Sequence, residues 1–220
     1  MGGHMRIVAA TIGLAASLLV SGCGMSQGAA LYMLGFGARE TVKAEFRLTE
    51  EPILILVDDF GESIDWPPAP NYLVDELGKL LIKEKGANRI IPNRTLKNLR
   101  RSRPDYSELP AQKIGGLCGA EQVLWLEVDS YFGDEEFYEP THAAWFAVTV
   151  KVLDVNQRDE KSRVRVWPTG PNGHYVGVAL DGSKVSELQT KDEIAKELAH
   201  QLAAEISKLF TDYVPGDFED

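Results

Sequence analysis

The chain alternates short apolar runs with polar turns in a way that predicts a sheet packed against helices. Residues 42–48 place Val42, Ala44, Phe46 and Leu48 at every second position, the period of a half-buried strand. Residues 53–57, Ile-Leu-Ile-Leu-Val, are apolar on both faces and end in Asp58-Asp59, which predicts a strand central in its sheet. The prolines of 65–70 predict a loop. After it, Asn71 is the expected cap of a helix whose stripe is Leu73, Val74, Leu77, Leu80 and Leu81, with Gly86 as its end. Residues 89–91 read as a short strand closed by Pro92. Asn93 then opens a short basic helix reaching residue 101, and 107–117 read as a further helix with Pro110 in its first turn.

The second half of the pattern is mostly of period two. Strands are expected at 123–128, 143–155, 164–167 and 175–180, with a polar hairpin turn at 156–161. In the longest of them Phe146, Val148, Val150 and Val152 form a greasier face than Trp145, Ala147, Thr149 and Lys151. The last element is the clearest: Thr190 and Glu193 have capping-box spacing, and Ile194, Leu198, Leu202, Ile206, Leu209 and Tyr213 recur at helical spacing. The expectation is one α+β domain over 42–214. Its mixed, mostly antiparallel sheet would have about five to six strands covered by helices, and an acidic tail would follow over 215–220.

What precedes that domain is of another kind. One basic residue, Arg6, is followed by an apolar run over 7–20 and then by Val20-Ser21-Gly22-Cys23, the order of an export signal. A membrane span needs ~20 apolar residues, and this run is shorter and broken by Thr11, Gly13 and Ser17. The four residues resemble the lipobox of bacterial lipoproteins, a branched aliphatic and two small residues before a cysteine. The resemblance implies that 1–22 are a signal peptide and that Cys23 begins the mature chain with lipid on its sulfur and its amine. Residues 23–41 would then be a tether and apolar arm. Two or three acyl chains, at ~0.8 kcal/mol per buried methylene, hold a protein permanently on a bilayer. Gly24 stands where such lipoproteins carry an aspartate when they stay in the inner membrane, which implies the outer membrane, facing the periplasm.

Charge and cysteine count narrow the partners. The formal charge of −10 argues against nucleic acid and against adhesion to anionic lipid heads. Of two cysteines, lipidation takes Cys23, and Cys118 lies in the apolar stretch 114–120, a setting for a buried, inert thiol. Residues 1–5 support no reading, and His4 none as a metal ligand.

Within 114–124 the pattern Ile-Gly-x-Leu-x-Gly-Ala-x-x-Val-Leu, and the polar hairpin before a strand bearing Trp167, resemble a family of envelope proteins. It includes the curli-secretion lipoprotein, the TolB amino-terminal domain and the lipoprotein activators of penicillin-binding proteins. The chain has no insertion for a secretion pore and no propeller domain. The resemblance implies a TolB-amino-terminal-like fold and a non-enzymatic accessory or scaffold protein that binds an envelope protein.

Candidate chemistry is sparse. Asp58 and Asp59 follow a buried strand, where metal-dependent hydrolases place acids. Yet no phosphate-cradling glycine loop, second acidic motif, zinc spacing or nucleophile elbow accompanies them, so no cofactor, metal or catalytic residue is expected. His142, His174 and His200 read as ordinary polar residues. Arg94, Lys97, Arg100, Arg101 and Arg103 are a basic cluster in an acidic protein, a candidate contact for an anionic glycan or phosphate. Phe137 and Tyr138, in an acidic loop over 133–140, are candidate partner contacts. Three readings follow: a protein-binding lipoprotein, an anion- or glycan-binding lipoprotein, and a hydrolase at Asp58 and Asp59.

Overall fold

The computed structural model describes residues 41–58, 64, 66–133, 144–157, 164–188 and 190–215, all of one compact unit that begins at Thr41. Its centre is a five-stranded sheet made of β1 (Ile53–Asp58), β2 (Gln122–Phe132), β3 (Ala144–Asp154), β4 (Arg165–Trp167) and β5 (His174–Leu180). The expected α+β class with a mixed, mostly antiparallel sheet is what the chain adopts. β1 and β2 run parallel, with Ile53 opposite Gln122 and Asp58 opposite Glu127. β2 and β3 are antiparallel, their register shifting between Val128 and Ser130.

β4 and β5 share the far edge of β3. Trp167 lies opposite Val152 and His174 opposite Val150, so residues 168–173 loop out beside Lys151 alone. The two strands are thus one interrupted edge. The Arg165 guanidinium donates to the carbonyls of Gly170 and Pro171 and holds that loop. A Cβ on Gly173 would collide with Thr149 and Lys151, which explains glycine where the chain rejoins β3.

Helices cover one face entirely. α1 (Ala69–Lys83) and α5 (Lys191–Lys208) bury Leu73, Leu77, Leu81, Ile194, Leu198, Leu202 and Ile206 against Ile55, Leu124, Leu126, Phe146, Val148, Val150 and Val152. Thr190 caps α5: its hydroxyl accepts from the Glu193 amide at 3.2 Å, and the Glu193 carboxylate accepts from the Thr190 amide at 3.1 Å. Tyr72 ties the two helices, donating to Asp192 at 2.5 Å, while Lys196 pairs with Asp192 at 2.6 Å.

Among the described residues the other face is covered only at one end. α2 (Asn93–Ser102) and α3 (Ala111–Cys118) bring Leu96, Ala111 and Ile114, with Ile91, onto Leu54, Leu56, Val123 and Leu153 in a smaller core. Beyond Trp125 and Leu153 this cover stops. Trp145 and Tyr175 lie exposed, the latter at 65 %.

Several expectations need correction. β1 is buried on both faces but is not central: it ends the strand order, and on its outer side only a bridge between Ile53 and Ile90 is formed among the described residues. Helices above and below an edge strand bury it as thoroughly as neighbours would. Residues 89–91 contribute that bridge rather than a strand. Residues 42–48 form no strand either. Phe46 and Leu48 do pack on the core, but the backbone bonds to the C-terminal segment, Val42 to Tyr213 and Glu45 and Phe46 to Leu209.

Helix boundaries also differ. Pro68, not Asn71, precedes α1, with Pro70 in its first turn; Pro92, not Asn93, precedes α2, and the Asn93 amide donates to Asn71 at 3.0 Å. After α1 the left-handed residue is Lys85 at φ 59°, whereas Gly86 is small because Thr211 presses on it. The helix expected over 107–117 splits into a 3-10 turn (Tyr106–Glu108) and α3, since Leu109 is extended before Pro110. α4 (Gly182–Glu187), capped by the Asp181 carboxylate, had not been expected.

The termini of the unit are clasped by Asp212. Its carboxylate accepts from the Ala44 amide at 3.0 Å and from Lys43 at 2.9 Å, and it pairs with Arg47. These three donors, the amide foremost, hold the carboxyl well below the ordinary carboxylate range. A depressed pKa contributes stability that is present at neutral pH and lost as pH falls below ~4 toward the folded value.

Two outcomes are expected. Phe146→Ala should cost roughly 3–5 kcal/mol in urea unfolding, whereas Trp145→Ala, one residue along on the open face, should cost under about 1 kcal/mol. Asp212→Asn should lower the midpoint at pH 7 and flatten its decline between about pH 4 and 2, measured by thermal denaturation across pH.

Candidate functional site: a cleft and an open sheet face

Because α2 and α3 cover only part of the second face, a cleft of about 850 Å³ opens where they end. β1 delivers Asp58 to it from its carboxyl end, the end at which open sheets with parallel strands place ligands. Trp125 of β2, Leu153 of β3 and Arg165 of β4 form the sheet side; Ala111 and Ile114 of α3 the helix side; Arg100 and the 3-10 turn close the rim. Arg103 clamps that turn with two bonds to Asp105, at 2.9 and 2.8 Å. Gln112 fixes α3 to the sheet by donating to the carbonyls of Asp154, Val155 and Gln157.

Arg100 lies 5.0 Å above the Tyr106 ring. Burial pushes the Tyr106 phenol above its ordinary pKa, Arg100 pulls it partly back, and the Asp58 charge adds a small upward push. The buried Tyr106 hydroxyl meets no hydrogen-bonding partner among the described residues.

The second feature is the part of the sheet face that no described element covers. Phe132 and Trp145 stack, their ring centres 4.7 Å apart. Tyr175 stands on the neighbouring edge strand opposite Thr149, which donates to Asp129 at 2.7 Å. Lys151 lies 4.9 Å over the Trp125 ring and pairs with Glu127. The face is therefore aromatic at its ends and internally neutralised in its middle.

The structure divides the basic cluster. Arg94, Lys97 and Arg101 are exposed on α2, Arg103 is spent on Asp105, and Arg100 alone of the five lines the cleft. Asp58 and Arg100, assigned to separate readings from the sequence, border one cavity. Asp59, Phe137, Tyr138, His142 and Cys23 lie outside the described residues. No group of three or more histidine, cysteine or acidic side chains is placed to hold a metal among the described residues. Cys118 is half-buried with its thiol pushed up by burial. His174 stacks on Trp167 at 5.3 Å with Glu45 at 3.6 Å, and His200 sits 3.9 Å from Glu76. Tyr106, Trp125 and Tyr175 are the residues that sequence reasoning passed over. Trp125 had a signal, an aromatic at the polar phase of a strand.

No protein-family model matches the chain, and no curated protein matches it either. Solved structures do. The PelC dodecamer from Paraburkholderia phytofirmans is 12 % identical over 78 % of this chain and 96 % of its own, with TM-scores of 0.42 and 0.38 in two crystal forms. The hypothetical protein CT253 from Chlamydia trachomatis is 12 % identical over 74 % of this chain and 98 % of its own, at a TM-score of 0.39. Lipoprotein GNA1162 from Neisseria meningitidis is 10 % identical over 71 % and 96 %, at 0.40. The neighbours thus include a lipoprotein and a hypothetical protein at low identity.

Ultraviolet difference titration should show tyrosines ionising above ~10, one of which is lost in Tyr106→Phe while Tyr72, held up by its bond to Asp192, remains, and Arg100→Gln should move the Tyr106 transition higher by removing the charge that favours phenolate. A transition that stays put or falls would refute the assigned geometry.

Proposed function

We propose that this chain is a lipid-anchored, extracytoplasmic accessory or scaffold protein of the cell envelope, non-enzymatic, that docks a protein partner on the open half of its sheet. Cys23 carries the anchor, and the outer membrane facing the periplasm is the location. The observation that carries the docking role is the uncovered face with Trp145, Phe132 and Tyr175. Large aromatic side chains around internally paired charges match the composition of a protein-docking centre, where Trp and Tyr supply most of the energy and charged pairs little. The signal-like run ending in Val20-Ser21-Gly22-Cys23 supports the anchor. The hydrolase reading has Asp58 in its favour, with the Glu108 carboxylate exposed at the rim of the same cleft; no three acids or histidines are grouped there among the described residues.

The test is purification of the full chain from solubilised native envelopes. Wild type should bring down one stoichiometric protein. Trp145→Lys with Tyr175→Lys should lose about 90 % or more of it, as expected where two hot-spot aromatics are removed. Cys23→Ala should move the chain out of the acylated membrane fraction. Recovery of no partner, or equal recovery by the double variant, would overturn the docking role.

A further inference from the structure

The cleft has the size of a small-molecule site, at about 850 Å³ within the usual ~300–1,000 Å³. Its walls are mostly apolar: Leu109, Ile114, Leu153 and the Trp125 ring leave few groups that could satisfy a sugar's hydroxyls. Of the polar groups in its lining, Gln112 and Arg165 are spent on backbone carbonyls, while Arg100, Tyr106 and Ser107 stand at the rim. There the exposed Arg100 guanidinium lies over the Tyr106 ring and also acts on its hydroxyl, which makes no well-formed hydrogen bond among the described residues, so most of the five guanidinium N–H donors face the cleft mouth. Asp58 is already engaged, and Glu108 is exposed at the rim. At this rim the donors of Arg100 outnumber the unspent acceptors, and an acceptor is what they lack.

We infer that the cleft binds an anionic amphiphile, a carboxylate or phosphate monoester head on Arg100 and Tyr106 with an aliphatic or aromatic body along Ile114, Leu153 and Trp125. The head gains charge-assisted hydrogen bonds from a planar guanidinium and a phenol. The body displaces water from walls that cannot bond it. This site lies on the covered half of the second face and is independent of the docking surface around Trp145.

The test is titration calorimetry on the full chain in lipid nanodiscs, with empty nanodiscs as blank. Octanoate and octyl phosphate probe the two head chemistries, 1-octanol the body alone and inorganic phosphate the head alone. Octanoate or octyl phosphate should bind at one site per chain, the tighter naming the head, and octanol and phosphate about tenfold or more weaker. Arg100→Gln should weaken binding about tenfold or more, and Tyr106→Phe severalfold, as for loss of a charged and a neutral hydrogen bond. Arg94→Gln, outside the cleft on the same helix, should leave it unchanged, as should Trp145→Lys. Absence of a saturable site, octanol binding as tightly as the anions, or equal losses in Arg94→Gln and Arg100→Gln would overturn the inference.

Discussion

The packing of α5 against the greasy face of β3 is what the rest of the structure depends on. Ile194, Leu198, Leu202 and Ile206 meet Phe146, Val148 and Val150 with no exposure on either side. Each such side chain contributes roughly 1.5–3 kcal/mol by leaving water. With α1 beside it, α5 satisfies one face of the sheet so completely that the other is free to be incomplete. That asymmetry produces both functional features. Among the described residues the opposite face is covered by α2 and α3 at the β1 end and left open at the β5 end, and the cleft lies at the boundary.

Polar tethers set how far that second cover extends. Gln112 spans three carbonyls beyond β3 and Arg103 closes the turn before α3, so α3 cannot slide further across the sheet. The interrupted edge strand limits the sheet on the far side, where Arg165 folds 168–173 away and leaves Tyr175 beside Thr149. A small domain thereby holds a cleft and an exposed surface on the same sheet face.

Much of this was legible from residue order. Alternation told the two faces of β3 apart, because half-burial forces it, and β5 was legible as a strand; the capping box placed the start of α5 to the residue. Legibility failed where burial has two possible causes. Ile53–Asp58 is an edge strand that reads as central, since helices rather than strands shield it. Residues 42–48 alternate because Phe46 and Leu48 touch the core, although their backbone bonds to Leu209 and Tyr213 near the end of the domain. The helix caps shifted by one to three residues because proline fixes the turn before asparagine can. Of the functional side chains, the charges Asp58 and Arg100 were visible but not their proximity. Tyr106 and Tyr175 gain their roles from which helix stops short, and no local pattern records that.

The account's central claim is that the β5 end of the sheet is open in the isolated protein and occupied in the envelope. Hydroxyl-radical footprinting read by mass spectrometry tests it on the full chain, purified and in intact native envelopes. Trp145 and Tyr175 should oxidise readily in the purified protein and be protected several-fold in the envelope, while Lys113 on α3 changes little. Equal oxidation of Trp145 and Tyr175 in both states would contradict the account.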